Sequence, residues 1–228
     1  MFEGKKILAL IPARGGSKGI KNKNIVEING KPLIVYSIDA GLQSKYVDMV
    51  LVSTDSEEIA GISKEYGAEV PFLRPAEFAQ DASPTADAIQ HALNMINKNG
   101  EFDSIVLLQP TSPLRTAEDI DKAIELYFET NCEGVVSVTE VSQSPILMRE
   151  IDKDGKLKTL LEFKGNLRRQ NLPKYYILNG SIYIEKISKD NTADLLNLKI
   201  PFIMSKDKSI DIDEWEDLIK AEKQLQKI

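Results

Sequence analysis

The residues with the clearest capacity for chemistry lie in a glycine-rich, basic loop near the N-terminus. This loop spans 11–21, follows an apolar run at 7–11, and carries three glycines and three cations: Gly15, Gly16, Gly19, Arg14, Lys18 and Lys21. Glycines let backbone N–H groups approach a phosphate without a Cβ in the way, and Lys and Arg add positive charge. The loop therefore predicts a nucleoside triphosphate site. A solvated surface turn is the alternative for the same composition.

The spacing of these glycines excludes two common phosphate-binding motifs. A P-loop requires G-x-x-x-x-G-K-[ST], which the three glycines do not provide. A dinucleotide fingerprint requires G-x-G-x-x-G opening a helix directly after the first strand, and the charged stretch 18–23 follows here instead. An NAD-dependent oxidoreductase is therefore disfavoured.

Two carboxylates near the C-terminus form a second candidate site. Asp211 and Asp213 alternate with Ile210 and Ile212, and this pattern predicts a strand with both carboxylates on one face. Two such carboxylates repel each other unless a cation lies between them. Mg²⁺ binds one or two carboxylates and completes its octahedron with phosphate oxygens and water, so the pair predicts a magnesium site. The alternative is that Asp213 caps the last helix.

A third polar segment follows an apolar run in the middle of the chain. The segment 107–115 places Gln109 and Arg115 just past that run, and ligands bind at the C-terminal edge of the strands in open α/β sheets. A rigid turn would account for the prolines of this segment but would not require Gln109 and Arg115. His91 is expected to be a surface or half-buried helix residue, and Cys132 a structural one.

The elements that must position these residues alternate between strands and helices in the first half of the chain. Strands are predicted at 6–13, 48–53, 68–72 and 105–108, and helices at 32–44, 57–66, 85–97 and 118–129. This alternation is typical of an α/β protein with a mostly parallel sheet and helices on both faces. After the apolar run 135–138 strand-like stretches replace the helices. We interpret 139–178, with a strand-like stretch near 146–151, as an excursion from the sheet. A further strand at 181–184, a return strand at 200–204 and a last helix at 214–226 follow.

Composition limits the class of protein further. The chain has 228 residues, 42% hydrophobic and 28% charged, which suffices for one sizeable α/β core. The net charge of −6 argues against general nucleic-acid binding. No apolar stretch reaches the ~20 residues that span a bilayer, and no signal peptide precedes the first strand, so we expect a cytoplasmic protein without a membrane partner. One histidine and one cysteine exclude a Cys/His zinc cluster, so a metal would take oxygen ligands.

Five short motifs occur in a fixed order along the chain. They are the basic loop with Lys23-Asn24, the run 74–77, the segment 109–115, the run 179–183 and the final Asp211-x-Asp213. Together they resemble the acylneuraminate cytidylyltransferases, also called CMP-sialic acid synthetases, over nearly the whole chain. The resemblance implies a Rossmann-like fold, a single nucleotidyltransferase domain over 1–228, and a homodimer. In that fold 139–178 is a small lobe for dimerisation and sugar binding.

The resemblance also implies an activity and its residues. The activity is the Mg²⁺-dependent joining of CTP to a nine-carbon 2-keto sugar acid, N-acetylneuraminate, with release of pyrophosphate. By analogy, the triphosphate would be held by Arg14, Ser17, Lys18, Lys23 and Asn24, and the cytosine and ribose by Arg74 and the loop 81–85, which includes Thr85. The sugar pocket would be lined by Gln109, Arg169, Asn179 and Tyr183, and the metal held by Asp211 and Asp213. The expected catalytic residues are Arg14, Lys23, Asp211 and Asp213.

One departure from the family pattern leaves the sugar open. Sialic-acid-specific members have cations near two positions at which this chain has Leu147 and Ile177. Recognition of the sugar carboxylate would then fall to Arg168 or Arg169, because a guanidinium suits a bidentate contact. A CMP-legionaminate-type synthetase is therefore one alternative, and a non-catalytic nucleotide-binding protein of the same fold is another.

Overall fold

The computed structural model describes residues 1–17, 19–80, 83–97, 100–165, 168, 172–188, 190, 192–193 and 200–227. Its strands are β1 (Ile7–Pro12), β2 (Glu27–Ile28), β3 (Lys31–Pro32), β4 (Met49–Ser53), β5 (Ser104–Leu108), β6 (Gly134–Glu140), β7 (Arg149–Ile151), β8 (Leu157–Thr159), β9 (Tyr176–Lys186) and β10 (Ile200–Ile203). The helices are α1 (Leu33–Gln43), α2 (Glu57–Glu65), α3 (Thr85–Ile96), α4 (Ala117–Thr130) and α5 (Trp215–Leu225). Among these residues no helix has the length and apolarity needed to cross a membrane.

Six strands form the central sheet, in the order β10-β6-β9-β5-β1-β4. The pairs β1/β4, β1/β5 and β6/β10 are parallel, whereas β9 is antiparallel to both of its neighbours. The prediction of a mostly parallel sheet is therefore confirmed. Because β9 runs against β5, the first half of β9 lies at the edge of the sheet where β5 ends.

The core consists of two apolar layers, one on each face of the sheet. Along β1, Ile7, Ala9 and Ile11 point to the layer that contains α1, α2 and α4, while Leu8 and Leu10 point to the layer that contains α3. Strand side chains alternate between faces, so a run that is buried throughout requires cover on both sides. The predicted helices on both faces are thus confirmed, and their ends lie within one residue of the predicted ends.

The strand predicted at 68–72 does not form. Only Glu69 pairs with the edge strand β4, through a single bridge to Leu51. The ladder ends there because Pro71 has no N–H to donate, and the backbone N–H of Arg74 then donates to the Thr54 carbonyl at 2.7 Å. The segment therefore leaves the sheet and carries Arg74 to its C-terminal edge.

The predicted excursion begins and ends inside two long strands. β6 and β9 stay paired as far as Glu140 and Tyr176, after a register shift between Val136 and Val138. Between them, a 3-10 turn at Pro145–Leu147 precedes the short hairpin β7–β8, so the strand-like stretch predicted at 146–151 is half turn and half strand. The stretch predicted at 181–184 is the middle of the 11-residue strand β9.

Two glycines in helices provide a test of this packing. A Cβ at Gly61, on the exposed side of α2, would meet nothing within 4 Å, whereas one at Gly41 in α1 would lie 2.9 Å from Cγ2 of Val50. We expect Gly61→Ala to raise the free energy of unfolding by about 0.5–1 kcal/mol through helix propensity. Gly41→Ala should lower it, because the stiff Val50 side chain must move. Urea unfolding measures both, and equal effects of the two substitutions would contradict the packing of α1 on the sheet.

Candidate active site

A cavity of about 550 Å³ opens at the C-terminal edge of the sheet. Pro12 at the end of β1, Arg74 after the edge strand, and Gln109 after β5 all line it. Of the predicted site residues, eight line the cavity: Arg14, Ser17, Lys23, Asn24, Arg74, Thr85, Gln109 and Asp213. The predicted residues Lys18, Asp81 and Arg169 lie outside the described residues.

The basic loop is held in place by residues at the C-terminal end of β4 and by Asn24, which follows the loop. The N–H of Ala13 donates to the Ser53 carbonyl at 2.9 Å, and the N–H of Gly15 donates to Asp55 Oδ1 at 2.9 Å. The buried Asn24 donates through Nδ2 to the Arg14 carbonyl at 2.9 Å. In the described structure Asn24 thus shapes the loop. Asp55 was missed in the sequence analysis, although its position directly after a parallel strand could have indicated it.

Arg74 is the most buried of the described cations that line the cavity. Burial lowers the pKa of Arg74, the charge of Asp55 opposes that shift, and the charge of Arg14 adds to it. Its Nε is buried and has no hydrogen-bond partner among the described residues. A buried guanidinium nitrogen without an acceptor is suited to receive a polar group of a ligand.

His91 lies behind this region and is half-buried, as expected. Its ring makes a T-shaped contact with Phe72, at 5.0 Å between centroids, and a tilted contact with Phe78, at 5.6 Å. Burial lowers the pKa of His91, and the charge of Arg74 lowers it further. His91 therefore acts as a neutral aromatic support for Phe78, which lines the cavity.

The first and last loops of the site contact each other directly. Lys23 donates through Nζ to the Ile212 carbonyl at 2.8 Å and to Asp213 Oδ1 at 3.0 Å. A Cβ at Gly19 would lie 2.5 Å from the Asp213 carbonyl oxygen, so only glycine fits at that position without a shift of the backbone. Residues about 190 positions apart in the chain therefore form one wall of the cavity.

The predicted strand around Asp211 and Asp213 is wrong, and so is the predicted helix cap. Residues 209–213 are irregular, because the Ile212 side chain packs in a small cluster with α5 and its N–H donates to the Thr111 carbonyl at 2.9 Å. The residue that caps α5 is Glu214, which forms a capping box with Asp217. Asp213 is thus free of a capping role, and its side chain is 76% exposed.

The environment of Asp211 fits a divalent cation. Burial is the largest cause that raises the pKa of Asp211, and the charge of Asp213 raises it further. A hydrogen bond from the Thr111 side chain and the charge of Lys23 lower this pKa and oppose the shift. Its Oδ1 is buried without a hydrogen-bond partner among the described residues. No group of three or more His, Cys, Asp or Glu that could hold a metal occurs in the described part of the chain. A metal here would need phosphate oxygens and water as well, which is the manner in which Mg²⁺ is usually bound.

The loop that carries these carboxylates is fastened to the start of α4. Lys208 donates through Nζ to both carboxylate oxygens of Asp119, at 2.8 and 2.7 Å. Asp119 in turn forms a capping box with Thr116 at the N-terminus of α4. The helix therefore supports the loop that leads to Asp211.

Of the described residues predicted to line the sugar pocket, one lines the cavity and two lie in the protein interior. Gln109 lines the cavity, and a Cβ at Gly180 would lie 3.2 Å from its Oε1 and 3.0 Å from Asp211 Oδ2. Asn179 is buried, accepts from Ser137 Oγ at 2.6 Å and donates to Ser209 Oγ at 2.9 Å. Tyr183 packs against the α3 layer of the core. Neither Asn179 nor Tyr183 lines the cavity.

Comparisons with known proteins agree with this geometry. A family described as Cytidylyltransferase matches residues 8–226. The CMP-N,N'-diacetyllegionaminic acid synthase of Legionella pneumophila is 39% identical over 228 residues, which cover 97% of either protein. The N-acylneuraminate cytidylyltransferase of Escherichia coli O18:K1:H7 is 36% identical over 98% of this chain, which spans 54% of that protein. A solved structure of CMP:2-keto-3-deoxy-manno-octonic acid synthetase with CTP shares the fold, with a TM-score of 0.70 at 16% identity over 97% of this chain and 99% of that one.

The buried carboxylate gives a testable effect on stability. The pKa of Asp211 is higher in the folded than in the unfolded chain, so the ionised carboxylate destabilises the fold once the pH rises through that folded pKa. In metal-free buffer at pH 7, Asp211→Asn should therefore raise the free energy of unfolding by about 1 kcal/mol, or about 2–4 °C in melting temperature. The gain should shrink as the pH falls and the wild-type carboxyl becomes protonated.

The neighbouring carboxylate serves as the control for this measurement. Asp213 is exposed and paired with Lys23, so Asp213→Asn should give no gain in stability. Thermal unfolding in the presence of a chelator compares the two variants with the wild type. A less stable Asp211→Asn variant would contradict the description of Asp211 as a buried, unpaired charge.

Proposed function

Because the chain belongs to the cytidylyltransferase family, we propose that it joins CTP to a nine-carbon 2-keto sugar acid and releases pyrophosphate. The observation that carries the proposal is the division of charge in the cavity. Arg14, Lys23 and Arg74 line the cavity as cations and Asp213 as a carboxylate. Asp211 does not line it but is close enough to Lys23 and Asp213 to feel their charges. This arrangement suits a triphosphate bound together with a divalent cation.

The donor CTP would bind on the side formed by β1 and β4. Arg14, Ser17, Lys23 and Asn24, with Lys18 beside them in the sequence, would hold the triphosphate. Arg74 and Thr85 would surround the cytosine and ribose. The buried, unpartnered Nε of Arg74 supports this assignment, since a buried donor without an acceptor carries a desolvation cost that a ligand would remove.

The reaction needs in-line attack by the anomeric hydroxyl of the sugar on the α-phosphorus of CTP. Arg14 and Lys23 would stabilise the charge that develops on the leaving pyrophosphate. Asp211 and Asp213 would hold Mg²⁺, which when bound neutralises phosphate charge. The proton that the hydroxyl loses would pass to a base at this edge of the site, for which Asp211 and Asp213 are the carboxylate candidates. No covalent intermediate with the protein is required.

The acceptor we place first is a diacetamido acid of the legionaminic type. The Legionella relative supports it, because the aligned region covers nearly all of both proteins. The apolar and exposed Leu147 and Ile177 also support an acceptor pocket unlike that of the sialic-acid-specific enzymes. N-acetylneuraminate is the second candidate and is supported by the Escherichia coli relative. Asn179, which adjoins Gly180 in β9, and Tyr183, which is close enough to Asp211 to feel its charge, would support this side of the site without lining the cavity.

A cytoplasmic homodimer is proposed as the working form, with the lobe at 139–178 as its interface. Ile151 and Leu157 in the hairpin and Ile177 and Leu178 in β9 are each more than half exposed, which is an unusual amount of apolar surface for a soluble monomer. Sedimentation equilibrium should therefore give twice the mass of the chain, and Ile177→Lys should shift the species towards monomer. A wild-type monomer at micromolar concentration would contradict the proposal.

The activity is tested by measuring the release of pyrophosphate from CTP, in the presence of Mg²⁺, under four acceptor conditions. These are N,N'-diacetyllegionaminic acid, N-acetylneuraminic acid, an eight-carbon keto-deoxy-octonic acid and no sugar. We expect release with the nine-carbon acids, most rapidly with the first. Asp211→Ala should reduce the rate more than about a hundredfold, since a metal contributes several kcal/mol to such a transition state.

The control for Asp211→Ala is Glu65→Ala, at the exposed end of α2 and not among the residues that line the cavity. It removes a carboxylate without touching the cavity and should leave the rate unchanged. Full activity of Asp211→Ala at saturating Mg²⁺ would refute the metal assignment. Absence of release with all the sugars, despite CTP binding, would refute the acceptor class and favour a non-catalytic nucleotide-binding protein.

A further inference from the structure

We propose that Arg115 is a positioning residue for the acceptor side of the site. Its buried guanidinium fixes the backbone at Gln109 and Ser181, and through them it sets the separation of the Gln109 and Asp211 side chains across Gly180. This inference rests on the proposed function, because the acceptor side is defined by that function.

The contacts of Arg115 join three separate parts of the chain. Nη1 donates to the Ser181 carbonyl at 2.7 Å and to the Gln109 carbonyl at 3.3 Å, while Nη2 donates to Ser37 Oγ. Ser37 Oγ itself donates to the Gln109 carbonyl at 3.2 Å. The guanidinium therefore connects the loop after β5, the strand β9 and the helix α1, and it is only 3% exposed.

This clamp lies just beyond the point at which β5 and β9 stop pairing, although β9 remains paired with β6. The β5–β9 ladder ends at the pair Leu108–Ile182, so no bond of that ladder fixes the next residue on either strand. Those next residues, Gln109 and Ser181, are the ones whose carbonyls Arg115 binds. One step further along β9 is Gly180, at which a Cβ would lie 3.0 Å from Asp211 Oδ2 and 3.2 Å from Gln109 Oε1. A small change at the clamp would thus alter the spacing of two polar side chains at the cavity.

The energetics of Arg115 are unusual for a residue with a purely structural role. No hydrogen bond to a carboxylate compensates its charge among the described contacts, and its Nε has no partner there either. Burial lowers the pKa of Arg115 to about 9, and the charge of Asp119 opposes this only in part. An apolar side chain at such a position is often as stabilising as a buried charge. Fixing the carbonyls at the edge of the site is a function that an apolar side chain could not perform.

The direct contacts that hold the basic loop and Arg74 do not involve this clamp. The basic loop is held by Ser53, Asp55 and Asn24, and Arg74 is held by the Thr54 carbonyl. None of these contacts includes Arg115. Loss of the guanidinium should therefore impair the use of the acceptor and leave the binding of CTP unchanged.

The experiment compares Arg115→Met and Arg115→Lys with a matched control, Asp121→Asn. Asp121 is buried on α4, the helix that begins two residues after Arg115, and accepts from Ser44 Oγ at 2.6 Å and from the Lys45 N–H at 3.0 Å, so its loss also disturbs α1 and α4 but not the cavity. The readouts are melting temperature, the dissociation constant of CTP, and kcat and KM for the acceptor. We expect Arg115→Met to lower acceptor kcat/KM about a hundredfold with CTP affinity within about twofold. Arg115→Lys should lie between Arg115→Met and the wild type, because an ammonium can reach one carbonyl but not clamp two.

Several results would overturn the proposal. One is a loss of CTP affinity in Arg115→Met as large as its loss of acceptor kcat/KM. Another is the same kinetic defect in Asp121→Asn. Either result would indicate a general structural effect. Wild-type kinetics in Arg115→Met would also overturn it. If Arg115→Met does not fold, Arg115→Lys decides by the same criteria.

A readout without turnover separates this inference from the proposed function. If the wild type uses none of the acceptors, the proposed function fails, and hydrogen exchange of the free protein then tests Arg115. In that case Arg115→Met or Arg115→Lys should exchange faster than the wild type in the segments 109–112 and 179–182, while Asp121→Asn should not. Unchanged exchange in these segments would refute the clamp.

Discussion

The contact on which the site depends is the one between its first and last loops. Lys23 reaches across to the Ile212 carbonyl and the Asp213 carboxylate, and the backbones at Gly19 and Asp213 touch. The Lys23 side chain is only 15% exposed, so its buried charge is stabilised by the Ile212 carbonyl and by the more exposed carboxylate of Asp213. The cations of the first loop and the carboxylates of the last one therefore form a single charged wall, facing the cavity in which a triphosphate and a metal would bind.

The topology of the sheet brings the remaining residues to that wall. Parallel strands end at one edge, so the segments after β1, β4 and β5 deliver Arg14, Asp55 and Gln109 to the same place. The antiparallel strand β9 adds residues from its first half, because that half lies at the same edge. Gly180 is the point at which β9 passes between Gln109 and Asp211, and Arg115 joins β9 to the loop after β5 just beyond the last ladder pair.

The parts of this structure that are encoded locally could be predicted from the sequence. Doubly buried runs such as β1 and amphipathic helices such as α4 have a period that indicates their type, and they were predicted to within two residues. The Asp211 segment has the same alternation as a strand but is irregular, because Ile212 packs against α5 and bonds to Thr111 instead of a neighbouring strand. A position just after a strand could indicate that Asp55 lies near the site, but the roles of Asp55 and Arg115 depend on partners about 40 to 80 residues away, which no local pattern identifies.

A crystal structure with CTP and Mn²⁺ would locate the metal of this site by its anomalous signal. We expect an anomalous peak within bonding distance of an oxygen of Asp211 or Asp213 and of a phosphate of CTP. We also expect the triphosphate against Arg14 and Lys23, with the Lys23 ammonium still close to the last loop. A triphosphate bound outside the cavity, or a metal without either carboxylate as a ligand, would contradict the proposed joint site for triphosphate and metal.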